Sequence, residues 1–404
     1  MANGKVRNGI LKRGSTYSYT VRVTDPVTGV SRARWVGGFP TEAAAKKARD
    51  EARVAVQQGR YVDRNAITVE AYLRDWLAVH ALAIKPKTHE DYRAIIARYL
   101  VPRIGRMRMQ AVRPVTISTL YATLLREGGR SGAPLSPRTV NYVHSVLRKA
   151  FNDAVVVDQI LDSNPVERAK RPRPEISQLR HAVWDARQLR LFLEALGDDR
   201  LMPFFRLAAF TGARRGELFY LHWSNVHLDA DDPYVLIEGS ITIVRGHRVE
   251  GTTKTGRSRR VSLDQRTVDI LRAHRDRQEK EREQLGGAWP GNDWVFRLES
   301  GQPLRVGVPG ALMRATIRSA NENASAKERE STEVGPGLLP IRLHDLRHVH
   351  ATLLLKAGVP VHVVAARLGH ADPAMTLRVY AHVLSDQGAS AASTFAALMD
   401  SDES

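Results

Sequence analysis

The period of the hydrophobic pattern changes once, early in the chain, and this constrains the fold more than any other feature. Residues 8–39 alternate with a period of two: Tyr17, Tyr19, Val21 and Val23 fall on one side and Ser18, Thr20 and Arg22 on the other. From Thr68 the period is helical, with Val69, Tyr72, Leu73, Trp76 and Leu77 at i, i+3 and i+4 spacing. A strand pattern and a helix pattern cannot share one element, so the chain opens with two different structural units. In the first, Asp25–Gly29 reads as a turn and Arg32–Val36 as a returning strand. Thr41 is the expected N-cap of an alanine-rich helix that runs to about Gln58. The prediction for residues 1–64 is a three-stranded sheet backed by one helix, joined by a polar link at 60–67.

Beyond the link, helices are expected at 86–101, 114–127 and 136–157, broken at Pro102–Gly105, Gly128–Pro134 and Asn164-Pro165. This makes residues 65–169 an all-helical unit. Two prolines among charges mark 170–180 as a semi-extended linker and the domain boundary. A third unit, 181–390, should be mainly helical with a small antiparallel sheet. Its helices are expected near 185–196, 200–210, 264–284, 344–357, 360–368 and 373–387, its strands at 234–244 and 259–263, and a polar mobile loop at 320–338. Residues 391–404 read as a tail. The overall class is α+β, multidomain.

Charge narrows the function. The 404 residues carry 61 Lys+Arg against 43 Asp+Glu, a net +18. Residues 1–64 hold net +8 and residues 65–175 another +8, leaving +2 for 176–404. A surplus confined to one part of the chain points to a polyanion. Nucleic acid is favoured over a membrane surface, because no basic amphipathic helix with an aromatic anchor stands out. Lys12, Arg22, Arg32 and Arg34 form a polar strand face suited to a DNA groove, the alternative being a solvated sheet face. Cysteine is absent, which excludes disulfides, thiolate metal sites and cysteine nucleophiles. No run of about 18 apolar residues exists, and the opening Met1–Gly14 lacks an apolar core of signal-peptide length. The chain reads as cytosolic.

Three segments far apart in the chain share one chemical logic. Arg214 follows Thr211-Gly212 at a helix start. His344 and Arg347 lie at i and i+3, on one side of a helix, ahead of an apolar run. His370 closes Leu368-Gly369-His370, ten residues before Tyr380. Two guanidiniums, two imidazoles and a phenol suit a phosphodiester: the arginines neutralise non-bridging oxygens as charge builds in the transition state. The phenol attacks phosphorus once a neighbour accepts its proton. A zinc reading of His344, His348 and His350 is weak, for want of an H-E-x-x-H pattern or a cysteine.

These residues resemble the tyrosine recombinase (phage integrase) family: T-G-x-R-x-x-E-L around Arg214, H-x-x-R at 344–347, L-G-H at 368–370, then Tyr380. The resemblance implies that Tyr380 is the nucleophile of a 3′-phosphotyrosine intermediate and that Arg214 and Arg347 bind the scissile phosphate. It implies that His344 serves as acid/base for the tyrosine step and that His370 hydrogen-bonds the phosphate. The family also protonates the leaving 5′-oxygen with a lysine in a β-turn. Lys254, in Gly251–Arg257, is the choice here over Arg257, Arg259 and Arg260, since an ammonium releases a proton near neutral pH more readily than a guanidinium. No metal or nucleotide cofactor is implied.

By the same resemblance, 1–64 is an arm-site DNA-binding domain and 65–169 a core-binding domain. The implied partners are double-stranded DNA at core-type and arm-type attachment sites, three further copies of the chain on DNA, a host bending factor and an excisionase. In the family, an apolar tail such as Ala381–Met399 packs on a neighbouring subunit; folding back on its own domain is the alternative. The competing functions are a non-catalytic architectural DNA-binding protein of the same fold and a type IB topoisomerase. The arm-like domain counts against the topoisomerase.

Overall fold

The computed structural model describes residues 9–24, 30–58, 61–62, 66–172, 183–328, 337–384, 393 and 395–396. The turn expected at 25–29, most of the 170–180 linker and most of the 391–404 tail lie outside them. The chain divides into two compact units, Met1–Ser177 and Gln178–Ser404.

The first unit opens with an antiparallel sheet, β1 (Ile10–Arg13), β2 (Thr16–Thr24) and β3 (Ser31–Phe39), in that spatial order. Helix α1 (Glu42–Gln57) begins where expected, with the Thr41 hydroxyl accepting from Ala44 N at 3.1 Å. It packs on Ile10, Tyr19, Val21 and Val36 through Ala45 and Ala52.

The register corrects one expectation. Val21 faces Arg34, Val23 faces Arg32 and Tyr17 faces Lys12, and residues directly opposite share a face. Lys12, Arg32 and Arg34 therefore project on the helix-covered side, where they are exposed at its margins. Arg22, opposite Ala33, lies on the open side with Thr20 and Trp35. There the Arg13 guanidinium sits 5.5 Å from the Trp35 ring. The four basic residues do not form one face, because the strand period of two separates them.

The helical part of this unit comprises α2 (Val69–His80), α3 (Pro86–Ile95), a π-turn at Ile96–Leu100 leading into α4 (Val101–Ile104), α5 (Pro114–Glu127) and α6 (Pro137–Val156). Their apolar stripes meet in one core around Leu73, Leu100, Leu124, Leu147 and Phe151. Tyr72 and Trp76 bury their rings and donate to Asp158 and Asp153 at 2.7 and 2.8 Å.

The second unit begins with α7 (Ala186–Leu196), started by an Asp185–Gln188 capping box, then α8 (Met202–Thr211) and α9 (Arg215–Tyr220). Strands β4 (Val226–His227), β5 (Tyr234–Ile237), β6 (Gly239–Val244), β7 (His247–Thr252) and β8 (Arg259–Ser262) follow. The strand expected at 234–244 is two strands in two sheets: β4-β5-β8 and the hairpin β6-β7. The break falls at Glu238, whose carboxylate accepts from Asn225 Nδ2 at 3.0 Å.

After α10 (Gln265–Leu285) comes α11 (Val308–Glu328), which replaces the first part of the loop expected at 320–338; residues 329–336 lie outside the described residues. Glu322 and Asn323 of that segment are exposed, while Met313 and Ile317, four apart, are buried. Helices α12 (Asp345–Lys356), α13 (Val361–Leu368) and α14 (Pro373–Leu384) complete the unit. No helix among the described residues is long and apolar enough to cross a membrane.

Candidate active site

Helix α8 ends on Gly212 in the left-handed region (φ +62°), which turns the chain so that Arg214 starts α9. Three residues on, Glu217 accepts from both Arg214 N and Arg214 Nη1 at 2.8 Å. The same carboxylate, 1% exposed, takes two bonds from Arg259 of β8, at 3.2 and 2.7 Å. Burial alone would raise the Glu217 carboxyl; the hydrogen bonds and charge of Arg259 and Arg214 outweigh it and hold it below the ordinary carboxylate range. Arg259 is further fixed by donating Nε to Arg367 O at 2.9 Å.

Arg347, on α12 and 5% exposed, donates from Nη1 to Gly212 O and from Nη2 to Leu368 O, each at 2.7 Å. The ends of α8 and α13 thus aim the second guanidinium. Burial first, then the charge of Arg214, lowers its pKa to about 9. His370 follows Gly369, the left-handed cap of α13, and its Nδ1 is 2.7 Å from the buried Thr376 hydroxyl. Burial, then Arg347, Arg214 and Arg259, lowers His370 to about 4, so the ring is neutral at pH 7. His344 caps the start of α12; the protein around it and then the Arg347 charge lower it as well.

Tyr380 of α14 is 3% exposed, in a cluster with Ala351, Leu355, Val364 and Leu368. Burial pushes its phenol up to about 12, against the pull of Arg347. Its oxygen lies 2.7 Å from His348 Nδ1, and the His344 and His348 rings stand edge to face at 5.7 Å.

Arg214, His344, Arg347, His370 and Tyr380 therefore come together from α9, α12, α13 and α14. Lys254 stands apart. It sits exposed on a turn closed by Gly256 N donating to Thr253 O at 3.1 Å, and makes no hydrogen bond or ion pair among the described residues. Of the neighbouring arginines, Arg259 is committed to Glu217 and Arg260 to Asp232.

Sequence reasoning missed two residues. His348 lies one turn past His344, but its contact with a phenol 32 residues on is tertiary. Arg259 was weighed only as an alternative to Lys254, with no signal of its pairing to Glu217. No group of three or more His, Asp or Glu among the described residues is arranged to hold a metal. The set can clamp a phosphodiester between guanidiniums and present a phenol to it.

A profile described as the phage integrase family matches residues 184–387, and one described as the phage integrase N-terminal SAM-like domain matches 68–125. The ICEBs1 integrase of Bacillus subtilis (strain 168) is 25% identical over 95% of this chain and 96% of its own length. A XerC-like tyrosine recombinase of Caldanaerobacter subterraneus subsp. tengcongensis is 27% identical over 96% and 98%. Among solved structures, the Tn1549 transposon integrase in complex with transposon right end DNA aligns over 81% of this chain and 99% of that one, with 18% identity and a TM-score of 0.63. A lambda integrase tetramer bound to a Holliday junction aligns over 93% and 96%, with 18% identity and a TM-score of 0.53. The solved structures speak for the fold and the family profile spans half the chain, so this protein belongs to the phage integrase family of tyrosine recombinases.

Proposed function

We propose that this recombinase is an integrase whose Tyr380 cuts DNA by attacking the scissile phosphorus, forming a 3′-phosphotyrosine link as the 5′-oxygen leaves. Arg214 and Arg347 hold the non-bridging oxygens and stabilise the charge that builds on them. In the family pattern His344 serves as general acid/base for the tyrosine step, and His370 hydrogen-bonds the phosphate. Lys254 protonates the departing 5′-oxygen. Strand exchange needs no metal or nucleotide, because the phosphotyrosine bond conserves the energy of the cut.

In this reading 1–64 binds arm-type sites, 65–169 binds core-type sites, 170–180 links them to the catalytic 181–390, and four copies act on DNA. A host bending factor and an excisionase set direction, and the stretch Ala381–Met399 packs on a neighbouring subunit and couples the active sites. Lys12, Arg22, Arg32 and Arg34 contact DNA, with Arg22 on the open sheet face and the other three at the margins of the helix-covered side.

The observation that carries the reading is the convergence of a phenol, two arginines and their imidazoles from segments up to 166 residues apart. The test is a labelled suicide substrate, nicked beside the crossover and taken from DNA flanking the gene. Wild-type protein is expected to give a detergent-resistant protein–DNA band and Tyr380→Phe none, with binding retained. A band from Tyr380→Phe removes Tyr380 as nucleophile. No band from either protein, with binding intact, favours the non-catalytic architectural alternative.

A further inference from the structure

The geometry points to His348 as the group that takes the phenolic proton from Tyr380 and returns it on rejoining. This rests on Tyr380 being the nucleophile. The phenol is buried among Ala351, Leu355, Val364 and Leu368, and such surroundings keep it protonated at neutral pH. A phenol that must stay neutral until it attacks needs an acceptor already in contact. His348 Nδ1 is 2.7 Å from the phenolic oxygen, within the range of a short hydrogen bond. For Nδ1 to accept, the ring must carry its own proton on Nε2.

His344, the residue that the family pattern assigns to this step, stands at the N-cap position of α12 with its ring 5.7 Å from that of His348, and the hydrogen bond to the phenol is made by His348. The arginine charges that bear on His344 are those of Arg347, Arg214 and Arg342. The two imidazoles of H-x-x-R-H thus divide the labour, one turned to the phosphate and one to the nucleophile.

The step balances. As the Tyr380 oxygen bonds to phosphorus, its proton passes to His348 Nδ1. The bond from phosphorus to the 5′-oxygen breaks with its electron pair staying on that oxygen, which takes a proton from Lys254. In rejoining, the 5′-hydroxyl attacks phosphorus and gives its proton back to Lys254. The tyrosine oxygen then leaves with its electron pair and recovers the proton from His348. Among the described residues, the titratable groups facing His348 include Asp345 and His344 on α12, His370 after α13 and Tyr380 on α14. Asp345, ion-paired to Arg342 at 2.9 Å, supplies the negative charge that favours the imidazolium.

The test measures the rate of covalent complex formation on the suicide substrate from pH 6 to 9 for full-length wild type, His348→Ala, His348→Asn and His344→Ala. His348→Asn keeps an acceptor where Nδ1 stood but cannot carry a proton, so it also serves should His348→Ala fail to fold. Both His348 variants should lose roughly 100-fold or more in rate with DNA affinity unchanged. Their rates should climb with pH across the whole range, as the phenol is left to ionise alone, while wild type levels off. His344→Ala should lose rate and keep the wild-type pH profile. On DNA with sulfur replacing the bridging 5′-oxygen, whose thiolate leaves without a proton, Lys254→Ala should recover and His348→Asn should stay slow. A wild-type rate or a wild-type pH profile in His348→Asn overturns the inference while leaving Tyr380 as nucleophile. An adduct that persists in Tyr380→Phe instead overturns the underlying reading.

Discussion

The two units of the molecule use the same residue, arginine, in opposite ways. Residues 1–175 hold sixteen of the eighteen net positive charges, and many of the described cations there stand in solvent: Arg22, Arg32 and Arg34 are exposed, as are pairs such as Lys87–Asp91 and Arg148–Glu167. Residues 176–404 are close to neutral, yet they bury Arg347 against two carbonyls and Arg259 against Glu217. Exposed charge gives affinity that salt screens. Charge withdrawn from water and held at fixed distances is what stabilises a transition state. Surplus charge therefore marks where such a chain grips, and burial marks where it reacts.

Three substitutions break or sharpen this contrast. The largest effect is expected from Glu217→Gln, which leaves two guanidiniums facing a neutral amide. Breaking a buried pair from one side costs about 3 kcal/mol or more, read as a shift in the denaturant midpoint of the catalytic unit. The same carboxylate predicts acid lability. Its folded-state pKa lies below the unfolded value, so its contribution is complete above the ordinary carboxylate range and is lost as pH falls through the folded pKa. A wild-type unfolding curve across acid pH that matches that of Glu217→Gln would remove Glu217 from this role.

Gly212→Ala should come next. A Cβ there would lie 2.7 Å from Leu368 Cδ2 and 2.9 Å from His350 Cδ2, at φ +62°. Strain of this kind costs about 2 kcal/mol. The displaced carbonyl would also misaim Arg347, so covalent complex formation should fall more than thermal stability does. Equal losses in both would place the effect in folding alone.

The smallest effect belongs to the first unit. Arg22→Ala should weaken DNA binding by about 1 kcal/mol, roughly fivefold, and reduce the salt slope by about one, with cleavage of bound DNA unchanged. A larger loss from Arg32→Ala or Arg34→Ala would instead turn the margin of the helix-covered side toward DNA.

Much of this was legible in the chain because the signals are local. The alternation of Tyr17 to Val23 identified β2, and Thr41 as N-cap located α1 to within a residue. The motifs at 214, 344–347 and 368–370 reached the right helices because each sits at a helix end, where short-range chemistry is strongest, and Tyr380 falls within the helix expected at 373–387. What stayed hidden depends on distant partners. The break at Glu238 depends on Asn225, and the solvent-facing polarity of α11 resembles that of a loop. The contacts of His348 and Arg259 cross 32 and 42 residues, which no periodicity encodes. The sides taken by Lys12, Arg32 and Arg34 needed the strand register, since one residue of slip exchanges the two faces of a strand.

The withdrawal of Arg347 from water has a thermodynamic consequence. Among the described residues its hydrogen-bond partners are carbonyls, the Glu217 carboxylate shared by Arg214 and Arg259 offsets its charge only in part, and its pKa is depressed to about 9. A cation so placed disfavours the empty fold, and an arriving phosphodiester relieves that penalty. Occupancy and folding are thereby linked: part of the grip on DNA is held in advance as instability of the unoccupied domain. Heat resistance of the catalytic unit then reports how full the site is.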